Sequence, residues 1–211
     1  MEFNLPANTY VNKFVAKSKF YNRASLSAKL QNEFINKIQK ITWKYKLAED
    51  TVGISKTDKI TEIQIFEIEL KHQVIPKNVL KVIDKTIPYQ ILYVFIYKDY
   101  FAYGITLKEN NIIQSYYFSE WNQEINFDFN GLDLEKVYQK LVKAFITNEA
   151  KNKNNFEDIV STDNKIKTLT NEIASLENKI RKEKQFNRKV DLNKSLLSKK
   201  KQLKTIKEKL S

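Results

Sequence analysis

At 211 residues and 42% hydrophobic content, the chain can bury one sizeable core but is short for two full domains. It has no cysteine and a single histidine, His72, which excludes disulfides, thiolate nucleophiles, cysteine zinc sites and multi-histidine metal sites. The net charge of +12 is lopsided, since residues 161–211 hold 15 Lys and Arg against 6 Asp and Glu, leaving 22 against 19 for residues 1–160.

A basic surface of this kind attracts nucleic acid, acidic protein or anionic lipid through a long-range, salt-screened force. The same composition also serves simply to keep a helix soluble. No apolar run approaches the length of a membrane span, and no basic start leads into an apolar stretch. A cytoplasmic protein without membrane contact is expected.

Residues 1–24 contain Pro6 and scattered aromatics without a clean period, and read as an extended arm laid on a domain. In "SLSAKLQNEFINKIQKITWKYKLA", residues 25–48, Leu26, Leu30, Phe34, Ile38, Ile41 and Tyr45 recur three or four apart and predict an amphipathic helix. "TEIQIFEIELK" alternates as a strand; Pro76 then opens a short helix that Pro88 ends. "YQILYVFIYK" suits a central strand covered on both faces. "DYFAYGITLK" and "NIIQSYYFSEW" follow through short turns as an antiparallel meander. Asp133 caps a last helix whose Leu134, Val137, Tyr138, Leu141 and Phe145 share a side. These elements predict an α+β domain over residues 1–147, with a mainly antiparallel sheet flanked by helices, and a linker over 148–162 where periodicity is lost.

Residues 163–211 carry two apolar seams, Ile166, Leu169, Ile173, Leu176 and Ile180, then Leu192, Leu196, Leu203, Ile206 and Leu210, with Lys199 in the missing step. The twelve-residue gap between Ile180 and Leu192 puts the seams roughly 120° apart on one straight helix, which would expose one of them. Folding the chain back near Phe186 sets Ile166 against Ile206, Leu169 against Leu203, Leu176 against Leu196 and Ile180 against Leu192. The expectation is a basic antiparallel helical hairpin, with Asn187 ending its first helix and Asp191 capping its second. The same register fits a coiled coil between two chains, and hence a homodimer.

Two patterns bear on chemistry. Glu67, Glu69 and Lys71 leave one face of the predicted strand, as in metal-dependent nucleases where an upstream acid, here Asp58 or Asp50, completes the site. Alternating charges on a solvated strand look the same, and that plain reading outweighs the catalytic one. Without P-loop or dinucleotide glycine motifs, no cofactor and no resident metal are expected. Arg181, Lys182, Lys184, Arg188 and Lys189 surround Phe186 and form the candidate binding tip for phosphate or an acidic partner.

The ordered set "FNLPANTYVNK", "IQKITWKYKLAEDTVGIS", "EIQIFEIELK", "VIDKTIPYQILYVFIY", "YYFSEWN" and "EKQFNRKVDLN" resembles a bacterial domain family of unknown function. Its genes often lie beside helicase and DNA-methyltransferase genes in restriction-like phage-defence loci. The resemblance implies a non-enzymatic accessory or adaptor role in such an assembly, with a protein partner of helicase or methyltransferase type, and it carries no catalytic residues over.

Overall fold

Between residues 38 and 118 apolar side chains alternate in some stretches and run unbroken over residues 91–97, and five strands result. In the computed structural model, which describes residues 3–146 and 155–208, the chain divides into two units, residues 1–145 and residues 146–211. The first holds a six-stranded sheet of β1 (Tyr10–Phe14), β2 (Ile38–Ala48), β3 (Glu62–Leu70), β4 (Gln90–Tyr97), β5 (Tyr100–Glu109) and β6 (Ile112–Phe118), lying side by side in chain order. Neighbours are antiparallel except β3 and β4, which run parallel because α4 (Lys77–Thr86) carries the chain back between them; the one-turn α3 (Glu49–Val52) follows β2.

Two expectations are corrected near the amino terminus. The helix expected over residues 25–48 stops early: α2 spans Ala28–Lys37, with Ser27 accepting the Leu30 N–H at 3.4 Å, and strand β2 begins at Ile38. Ile38, Ile41 and Tyr45 fit the helical period, but Ile41, Trp43, Tyr45 and Leu47 also alternate. Pairing with β3 over nine residue pairs settles the choice for β-branched and aromatic types. The stretch read as an extended arm also carries the edge strand β1 and α1 (Ser18–Ala24). Phe3 does lie against the domain, its ring 5.9 Å from Tyr45 and 5.4 Å from Phe129.

One sheet face is covered by α1, α2 and α4. Phe20, Phe34, Val79, Leu80 and Ile83 pack there against Phe66, Ile68, Ile91, Tyr93 and Phe95, and each fully buried side chain contributes about 1.5–3 kcal/mol. Gly104 of β5 belongs to this face for steric reasons, because a Cβ would stand 2.8 Å from the Phe118 ring and 2.9 Å from that of Phe95. The opposite face is covered by α5 (Leu134–Lys143), capped as expected by Asp133, which accepts the Lys136 N–H at 2.8 Å. Leu134, Val137, Tyr138 and Leu141 are buried beneath it.

Among these apolar layers sits a buried ion pair that the sequence pattern does not announce. Asp84 on the inner side of α4 and Lys108 of β5 have no exposed side-chain surface and stand 3.3 Å apart. The Lys108 ammonium also donates to the carbonyls of Asp84 and Ile87 at 2.9 Å and of Tyr89 at 2.8 Å. It thereby satisfies groups left open where α4 ends and Pro88 turns the chain into β4. The second carboxylate oxygen of Asp84 accepts from Thr106 at 2.9 Å and Tyr116 at 2.8 Å. Burial pushes the Asp84 carboxyl up and the Lys108 ammonium down, each opposed by the charge of the other. From the far face, the Tyr138 hydroxyl donates to the Thr106 carbonyl and accepts the Lys108 N–H at 3.2 Å, tying α5 to the same strand.

The second unit is helical. α6 (Phe156–Lys182) begins inside the stretch expected as a linker, because Asn155 caps it by accepting the Asp158 N–H at 2.7 Å, with Glu157 and Asp158 in the first turn. Residues 148–154 of that stretch lie outside the described residues. α7 (Phe186–Glu208) folds back on α6 within one chain. Both seams are at least half-buried over their described length: Ile166 and Leu169 are buried, and Ile173, Leu176, Ile180, Leu192, Leu196, Leu203 and Ile206 half-buried; Leu210 lies outside the described residues. Lys199 fills its gap in the seam by reaching Glu172 at 2.8 Å, and Lys200 reaches Glu177 at 2.8 Å.

Two outcomes test this architecture. Lys108→Met leaves the Asp84 carboxylate and three carbonyls without their cation, and the urea midpoint should fall by the equivalent of about 3–5 kcal/mol. Adding Asp84→Asn should recover only part of this, since the carbonyls stay unsatisfied; a wild-type midpoint for Lys108→Met would show that the tether is dispensable. In the hairpin, Leu176→Asp with Leu196→Asp should open the seam, because burying unpaired carboxylates costs several kcal/mol. Hydrogen exchange should then accelerate in α6 and α7 and stay slow in β3–β5.

Candidate functional site

The tip of the hairpin is built by how each helix ends. Lys179, Arg181 and Lys182 occupy the last turn of α6, where cations face the negative end of the helix dipole. Glu183 leaves the helical backbone and its carboxylate accepts the Gln185 N–H at 2.8 Å, so the connection is the three residues Glu183–Gln185. This corrects the expected turn: Asn187 lies in the first turn of α7, Phe186 opens that helix, and Asp191 pairs with Lys194 at 3.9 Å instead of capping. A turn without Gly or Pro forms here because a glutamate side chain supplies the local hydrogen bond.

The electrostatics of the tip follow from where the acids of the unit are used. Asp163 is with Lys167 (2.7 Å), Glu172 with Lys199, Glu177 with Lys200, Asp191 with Lys194 and Glu208 with Lys204 (3.6 Å), while Glu183 serves the turn. Arg181, Lys182, Lys184, Arg188 and Lys189 are all exposed, and among the described residues none is in an ion pair. Phe186, in their midst, is 78% exposed. The first turn of α7 contains no acid but carries Arg188, a placement that the positive end of that helix disfavours. A shallow concavity of about 520 Å³ between the helix ends is lined by the cations Lys179, Lys182 and Arg188, the acids Glu183 and Asp191, and Leu192 and Ser195. The five unpaired cations can take up phosphate or carboxylate charge from a ligand.

The nuclease-like pattern is placed differently. Glu67 and Glu69 share a face of β3, each met across the sheet by a lysine of β2: Lys44 is 3.6 Å from Glu67 and Lys40 is 3.3 Å from Glu69. Lys71 lies exposed just past the strand end, Asp58 is exposed in the preceding loop, and Asp50 is held by Lys46 at 3.2 Å. Among the described residues no three His, Cys, Asp or Glu side chains gather as a metal-ligand set. His72 is exposed after β3. Of the aromatic run, Tyr116, Phe118 and Trp121 pack against the core and Tyr117 is buried.

A second concavity, about 460 Å³, lies between Asn4–Pro6, Val52, Ile54 and Asn126–Asn130. Its one charged lining group, Asp128, is bonded to Lys140 at 2.6 Å, which with the Asn130 N–H lowers its carboxyl to about 2. That charge is engaged in holding the loop.

No curated protein and no solved structure matches the chain. The family model described as a domain of unknown function (DUF4391) matches residues 3–203, from the Phe3 that seats the amino terminus to the Leu203 of the second hairpin seam, and the chain belongs to that family.

Proposed function

We propose that the chain is a non-enzymatic accessory protein of a bacterial defence or DNA-modification assembly, acting in the cytoplasm, in which the α+β unit docks to a helicase- or methyltransferase-type partner and the hairpin tip holds nucleic-acid phosphates. The assembly part of this reading rests on the family resemblance carried by "FNLP", "IDKTIPYQIL" and "EKQFNRKVDLN". The phosphate part rests on one observation: Glu172 and Glu177 are paired along the shafts, and Arg181, Lys182, Lys184, Arg188 and Lys189 are exposed and unpaired at the tip, where they outnumber Glu183 and Asp191. Like charges gathered at one end of the hairpin repel one another, whereas an anion laid across them is attracted by each.

Fluorescence anisotropy with labelled oligonucleotides tests the phosphate reading. Affinity should fall steeply with added salt, the slope of log K against log salt approaching about −0.7 to −0.9 per phosphate engaged. Arg188→Glu with Lys189→Glu should weaken binding and flatten that slope by about two such increments, with unchanged circular dichroism. Affinity that is flat in salt, or indifferent to the double reversal, would reject the tip as a phosphate site. Co-expression with a candidate partner of helicase or methyltransferase type, followed by affinity capture, tests the assembly part: the truncated 1–150 unit should retain the partner, and its failure to do so would move docking to the hairpin.

A further inference from the structure

We infer that Phe186 is a stacking platform for an unpaired base, which makes single-stranded nucleic acid the ligand class of the tip; the inference rests on the reading that the tip binds phosphate. Three observations carry it. The ring is 78% exposed at the first position of α7, immediately after the turn, with Arg181, Lys182 and Lys184 before it in the chain and Arg188 and Lys189 after it. The turn and the start of α7 thus bring an exposed aromatic ring and a group of exposed cations to one end of the hairpin, the combination that binds single strands without reading sequence.

The apolar surface around the ring is too small and too interrupted for a protein groove. On the same side of α7, Val190 follows one turn on at 36% exposure. Then come Asn193, whose amide donates to the Lys189 carbonyl at 2.8 Å, and an isolated Leu197 at 68%, with Lys201 and Lys204 beyond. Lysines are depleted from the centres of protein interfaces, and here Lys182, Lys184 and Lys189 lie exposed close to Phe186 in the chain. A duplex offers the ring little, since each base face is already covered by its neighbours and the outer surface is sugar and phosphate. An unstacked base presents a bare π-face next to its own phosphate.

Anisotropy titrations of the full chain against a labelled 20-nucleotide single strand and the duplex of the same sequence test this. Phe186→Ala should weaken single-strand binding about 5- to 150-fold, with an unchanged salt slope and unchanged duplex binding. Phe186→Tyr should bind like the parent, while Phe186→Leu, apolar but without a π-face, should bind like the alanine variant. Circular dichroism of each variant reports whether the hairpin remains folded, as expected for so exposed a side chain. If Phe186→Ala or Phe186→Leu binds the single strand as tightly as the parent while the Arg188 and Lys189 reversal does not, stacking is refuted and the phosphate reading stands. Duplex bound at least as tightly as single strand would refute the ligand class. If the parent binds neither, both readings fall, and a purified protein partner that requires Phe186 would then identify the tip as a protein-docking site.

Discussion

The contact between Lys108 and the end of α4 is the constraint on which the sheet order rests. A parallel neighbour for β3 requires the chain to leave the sheet, cross as a helix and re-enter one strand further on, and the re-entry at Ile87–Tyr89 is where backbone carbonyls run out of partners. One ammonium group closes that gap with three carbonyls and a carboxylate. Pro88 is exposed, but Ile87 and Tyr89 are half-buried and Asp84 fully so, and the donor for their carbonyls comes from within the fold. The cost of burying the charge is offset by the number of oxygens it reaches, and Thr106 and Tyr116 complete the shell around Asp84.

The molecule uses charge in two opposite ways. Inside the sheet unit Asp84, Lys108, Thr106 and Tyr116 are directed at one another, which specifies the packing of α4 on the strands. On the hairpin Glu172 and Glu177 are paired with lysines along the shafts, and the exposed, unpaired cations gather at the end. The first arrangement sets a structure; the second sets a field that reaches about 8–10 Å into salt solution.

Much of this was legible from residue order. β3–β6 follow single periods bounded by Pro76, Pro88 and short polar turns; α5 announces its cap at Asp133, and the two hairpin seams demand each other. Residues 38–48 were not legible, because Ile38, Ile41 and Tyr45 satisfy a helical spacing while Ile41, Trp43, Tyr45 and Leu47 satisfy a strand spacing, and only pairing with β3 separates them. Asp84 could be noticed as a charge among Leu80, Ile83 and Ile87, yet its partner is 24 residues away on another element. At the tip, composition located the cations and Phe186; which acids would neutralise which lysines depended on the register of the folded hairpin.

Strand adjacency that follows chain order has a kinetic side. Each strand of the sheet finds its neighbour immediately before it in the chain, and where β4, β5 and β6 meet through short turns little entropy is spent before contacts reward it. On a ribosome, where the chain appears from its amino end, β2 can receive β3 without waiting for distant segments. The crossover is the exception: β4 can lie down beside β3 only once α4 has formed, and the lysine that secures its end arrives later still, on β5. Assembly of this sheet therefore has one natural pause, between the emergence of Pro88 and that of Lys108.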